Sequence, residues 1–126
     1  MTCGYSQIPG VDHEENYAPV VNDVTYRILI ICIILFKLQA KIVDVETTFL
    51  HGDINVEIYM DCPEGIEHTP DECVILNHSI YGLVQSARLF FKKLIKCLTD
   101  LGYEEGTVDP CLLTKKTEDG IAFVAV

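Results

Sequence analysis

Basic residues are scarce in this chain. Its 126 residues hold 9 Lys and Arg against 19 Asp and Glu, a formal net charge of −10. A chain this acidic repels phosphate backbones, so contact with nucleic acid requires a local basic patch or help from segments outside these residues. The acidity equally serves solubility. Long apolar runs are also missing. The longest, Ile28 to Phe36, falls far short of the ~20 residues a membrane span needs, which excludes a transmembrane helix. No apolar stretch opens the chain, so no secretory leader is expected. None of the six cysteines (Cys3, Cys32, Cys62, Cys73, Cys97 and Cys111) pairs in the C-x-x-C spacing of zinc sites, and no histidines cluster with them. Free thiols in a reducing, intracellular compartment are the expectation. The glycines are scattered rather than grouped into a phosphate-cradling loop. Ser6, Ser79 and Ser86 have no His–Asp arrangement near them in sequence, so a nucleophile triad has no support. No aromatic ladder for stacking single strands is evident.

What is present is the composition of a folded domain: 49% apolar and 22% charged residues, enough for one small core. Residues 1–21 read as an extended loop punctuated by Gly4, Pro9, Gly10 and Pro19. Asn22 or Asp23 can cap a helix running to about Leu38. That helix is apolar nearly all round, so it should be covered on most sides. Ala40 to Val45, broken only by Lys41, predicts a strand over 41–46 that buries Ile42 and Val43 and presents Asp44 at its tip. A second strand is expected over 56–61 and a short one from Cys73 to Leu76. From about Gln85 to Leu101, Ala87, Phe90, Phe91, Leu94, Leu98 and Leu101 recur at threes and fours, the spacing of an amphipathic helix that Gly102 ends. Arg88, Lys92 and Lys96 form a stripe on another face. It could track phosphates, and it could equally be a wet helix face. Asp119-Gly120, between the apolar runs at 111–114 and 121–126, predicts a hairpin. The reading is an α+β domain, mostly antiparallel sheet packed with two main helices, over residues 1–126. Asp44 and Glu46 would lie on one face of their strand, either as metal ligands or as solvated edge residues. Residues alone supply no reaction.

The series of motifs resembles one family, the reverse transcriptase domain of copia-type LTR retrotransposons. The resemblance runs through Gly4-Tyr5-Ser6-Gln7, Pro9-Gly10-Val11-Asp12, Tyr17-Ala18-Pro19-Val20-Val21, and Arg27 opening an apolar helix. Its most specific stretch runs from Asp44-Val45-Glu46-Thr47-Thr48-Phe49 to Leu50-His51-Gly52-Asp53. Glu57-Ile58-Tyr59-Met60, Pro63-Glu64-Gly65, the run Ser79 to Arg88, Gly102-Tyr103 and Asp109-Pro110-Cys111 follow in the family's order. The resemblance implies a partial fingers and palm of a right-hand polymerase, acting on an RNA or DNA template-primer and a deoxynucleoside triphosphate with two Mg²⁺ ions. It implies that Asp44 is the first catalytic aspartate and a metal ligand, with the Val45 carbonyl as a further ligand. Val45 and Phe49 would line the nucleotide site, Phe49 excluding a 2′-hydroxyl. Gln85 would lie in a second nucleotide-pocket motif, with Arg88 holding phosphate. Departures stand out. Val84 replaces the usual Lys, Ala87 the usual Pro, and Leu89-Phe90 a usual Trp. Val126 stands where the family continues into Tyr-Val-Asp-Asp, so the chain reads as truncated and inactive alone. The rival reading is a non-catalytic remnant that binds a protein, including itself through an exposed sheet edge, or binds nucleic acid weakly.

Overall fold

A computed structural model describes residues 4–126, so the expectation of a free thiol at Cys3 lies outside the described residues; Cys32, Cys62, Cys73, Cys97 and Cys111 are free. In chain order the elements are α1 (Asp23–Phe36), β1 (Tyr59–Asp61), β2 (Cys73–Ile75), α2 (Ser86–Asp100), β3 (Glu104–Glu105), β4 (Leu112–Thr117) and β5 (Gly120–Ala125), with short 3-10 turns at Gly4–Ser6 and Thr48–His51. Two helices and two antiparallel sheets agree with the α+β expectation. The described residues divide into two units, 4–18 with 47–93, and 19–46 with 94–126.

In the first unit, β1 and β2 pair antiparallel, Tyr59 opposite Ile75 and Asp61 opposite Cys73. The strand expected over 56–61 narrows to its last three residues. The Leu76 N–H still donates to the Ile58 carbonyl at 2.9 Å, and Ile58 is buried with Ser79 and Leu83. Gly52 sits where the backbone comes close to α2: a Cβ there would lie 2.9 Å from Leu89 Cβ. Only a residue without a side chain fits that approach.

In the second unit, α1 begins where the sequence places it. The Asn22 side chain accepts from the Val24 N–H at 2.9 Å, Arg27 pairs with Asp23 one turn away at 3.0 Å, and Lys37 closes the helix at φ 52°. Its expected cover is not found: no residue of α1 is buried, and Ile28, Ile31, Ile34, Leu35 and Phe36 are exposed. An all-round apolar helix reports a demand for cover, not a supplier of it. The core of this unit forms instead at Cys111 and Leu113, where the sheet runs in the order β3-β4-β5. The 118–119 turn joins β4 to β5, with Thr117 opposite Gly120, as the Asp-Gly signal predicts. Gly102, at φ 86°, ends α2 as expected.

The strand predicted over 41–46 does not form. Neither sheet includes it, and Ile42 and Val43 are 102% and 82% exposed. A strand needs a partner for its backbone groups. An apolar run supplies the side chains for a strand without supplying a neighbouring strand, and the segment stays solvated.

Asp109 ties the second unit together. Its carboxylate accepts the Asn22 N–H at 2.8 Å and the Cys111 N–H at 3.0 Å. The bond from Asn22 holds its carboxyl below the usual carboxylate range, with bonds from Thr25 and Cys111 adding to it and desolvation opposing. A depressed pKa stabilises the fold above the unfolded value of about 3.9 and loses that stabilisation as pH falls through the lower folded value. Asp109→Asn is therefore expected to lower the melting temperature at neutral pH. The gap to the parent should close as the pH drops below about 4. Thermal unfolding followed by circular dichroism across that range checks it; a gap that does not vary with pH would contradict the assignment.

Candidate nucleotide site

Phe49, Gln85 and Arg88 belong to the first unit, and Asp44 and Val45 to the second. The turn carrying Phe49 is fixed from several sides. Thr47 enters it at φ 51°, a left-handed conformation rare for a branched residue. The Ser79 hydroxyl donates to the Phe49 carbonyl, and the Ser79 N–H donates to the Gly52 carbonyl at 2.9 Å. The Phe49 ring then stands edge-on to Tyr81, centroids 5.0 Å apart at 65°. The aromatic proposed to screen a sugar hydroxyl is thus half-buried and held by a second aromatic.

Gln85 is buried at the start of α2, and its amide is committed to the chain itself. Its oxygen accepts from Gln7 Nε2 at 3.0 Å, and its nitrogen donates to the Asp12 carbonyl at 3.1 Å. The Val84 N–H donates to Gln7 Oε1 at 2.8 Å, so both ends of the Gln7 amide are also used. Close packing supports the same loop: a Cβ on Gly4 would collide with the Gly82 carbonyl oxygen. Arg88 Nη2 donates to Glu15 Oε2 at 2.8 Å, and Lys92 Nζ stands 3.9 Å from the same oxygen. Lys93 pairs with Asp53 at 2.6 Å. The helix cations at 88, 92 and 93 thus face carboxylates of their own unit. That weakens the phosphate-tracking reading of the stripe, of which Lys96 remains exposed to solvent.

Sequence reasoning missed Gln7, Asp12 and Glu15 as partners of Gln85 and Arg88. All three contacts span more than 70 residues and involve polar loop positions with no periodicity to signal them. The Gly-Tyr-Ser-Gln and Pro-Gly-Val-Asp motifs were the available signal, since both lie in that loop.

Asp44 and Val45 lie in the solvated 41–46 segment, exposed to water. No group of three His, Cys, Asp or Glu side chains among the described residues is placed to hold a metal ion. These residues by themselves do not fit a two-ion site. No helix among them is long and apolar enough to cross a membrane.

A family model described as reverse transcriptase (RNA-dependent DNA polymerase) matches residues 1–126. The chain belongs to the reverse transcriptase family. Its relatives include the retrovirus-related Pol polyprotein from transposon TNT 1-94 of Nicotiana tabacum, 35% identical over 115 residues and 90% of this chain. The Pol polyprotein from transposon RE2 of Arabidopsis thaliana is 30% identical over 98% of this chain. The chain spans 9% of the length of each of these two polyproteins. No solved structure matches.

Proposed function

We propose that residues 1–126 are an N-terminal fingers-and-palm portion of a retrotransposon RNA-directed DNA polymerase. The observation that carries this reading is the family match over every residue. The substrates are a template-primer and a deoxynucleoside triphosphate. Asp44 supplies one carboxylate, and the Val45 carbonyl one oxygen, to a divalent-metal site whose other ligands lie outside these residues. Phe49, braced by Tyr81, faces the sugar of the incoming nucleotide. Gln85 supports that pocket through the loop at 4–15 rather than by free hydrogen-bonding capacity. Primer extension on an RNA template tests the reading. The assay uses a hybrid in which these residues replace the matching segment of an active family member. Extension by the hybrid, and its loss with Asp44→Asn, is the expected result.

A second reading concerns self-association, and the outer edge of β5 favours it. The Val126 N–H bonds the Cys111 carbonyl at 2.9 Å, which makes the 111–126 pair a hydrogen-bonded one. Alternation along an antiparallel ladder then turns the backbone groups of Val124, Ala122 and Gly120 toward β4 and those of Ile121, Phe123 and Ala125 outward. Residues 120–126 carry no charge, and Ile121 and Phe123 are exposed. An uncharged, unpaired apolar edge is a template for a second strand. The edge is its own complement when two copies meet antiparallel about Phe123. Light scattering should show a mass that rises with concentration, and Phe123→Lys should return it to that of a monomer. A parent chain that stays monomeric at every concentration would sink this reading.

A further inference from the structure

The contact between Glu15 and α2 is poorly matched in geometry. An arginine fork binds a carboxylate best through two parallel bonds. Glu15 takes one nitrogen, Arg88 Nη2, while Arg88 Nε is buried with no hydrogen-bond partner among the described residues. An unsatisfied buried donor of this kind is costly. Glu15 is also shared with Lys92, one turn further along α2, at 3.9 Å. One carboxylate therefore spans two cations and leaves a third donor empty. Arg88 is largely sheltered, whereas Glu15 is 68% exposed and free to leave. The loop behind it is anchored independently by the Gln7–Gln85 amides, so a departing Glu15 need not unfold the loop.

We infer that Glu15 is an internal stand-in for a polyphosphate anion, which binds at Arg88 and Lys92 by displacing the Glu15 carboxylate. A phosphate group offers three oxygens where the carboxylate offers two. That is enough for Nη2, Nε and the Lys92 ammonium together. The site is compact, two cations on successive turns of one helix, and the chain as a whole is strongly acidic. Both features favour a short, dense anion over an extended nucleic-acid backbone. Glu15 thereby sets a threshold: weak anions do not enter, and dense ones do. This deepens, and rests on, the polymerase reading, whose family resemblance implies a phosphate role for Arg88.

The test is calorimetric titration of the whole 126-residue chain with inorganic tripolyphosphate, free of metal and at low salt. Glu15→Gln is expected to bind about tenfold more tightly than the parent, because the competing charge is gone. Adding Arg88→Ala to Glu15→Gln should abolish the gain. Adding Lys92→Gln instead, at an exposed side chain, should remove most of it. Equal affinity of parent and Glu15→Gln would overturn the inference, as would a gain that survives Lys92→Gln. The probe has no base, sugar or metal, so failure here leaves the polymerase reading intact. Loss of the polymerase reading through the hybrid assay would leave this binding result standing.

Discussion

Primer extension by the 126-residue chain alone is expected to stay at background with either Mg²⁺ or Mn²⁺. The hybrid carrying these residues should extend the primer and lose at least about a thousandfold in rate with Asp44→Asn. The argument is electrostatic. Two divalent ions about 4 Å apart repel by on the order of 15 kcal/mol even at an effective dielectric of 20. Several carboxylates facing both ions have to offset that repulsion. The described residues offer no cluster of three candidate ligands, and Asp44 sits on an exposed segment that neither sheet includes. Template-dependent incorporation by the chain alone would show that this count of ligands is wrong. A hybrid indifferent to Asp44→Asn would show that the carboxylate has been assigned the wrong role.

Leu113→Ala is expected to cost about 3 kcal/mol of folding stability. Leu113 is fully buried in the middle strand of its sheet, opposite Glu105 on β3 and Val124 on β5. Truncation leaves a cavity against the face of the sheet, and the paired strands cannot shift to fill it without breaking their register. A small domain holds only about 5–15 kcal/mol in total, so this one change removes a large share. Urea unfolding reads it as a lower midpoint at unchanged slope. Val108→Ala is the control. Val108 is 95% exposed, and its truncation should stay within about 0.5 kcal/mol. If both substitutions cost the same, the core of this unit does not lie at Leu113.

The elements legible in the sequence are those whose signals are local. α2 was readable from its three-and-four spacing, its end from Gly102, and the last hairpin from Asp119-Gly120. The start of α1 was readable from Asn22. Each depends on residues within a turn or two. The strand at 41–46 was not, because a strand depends on a neighbouring strand that an apolar run does not identify. The exposure of α1 was not, because hydropathy cannot say where a neighbour lies. Asp44, Phe49, Gln85 and Arg88 were legible as members of an ordered motif series. Their surroundings were not: the burial of the Gln85 amide against Gln7 and Asp12, and the pairing of Arg88 with Glu15, join distant loop positions through polar atoms.

The Asp109 clasp has a consequence for how the chain is made. It joins Asn22 to a residue 87 positions later, and the Val21 N–H bonds the carbonyl of Val126. The unit that contains α1 therefore cannot close until the last hairpin has left the ribosome. At about 5–20 residues per second, Val21 and Asn22 wait roughly 5 to 20 seconds for the residues that bind their N–H groups to be made. Newborn copies in that interval are natural clients for chaperones, and slower translation of the 37–110 stretch should raise the share lost to aggregation.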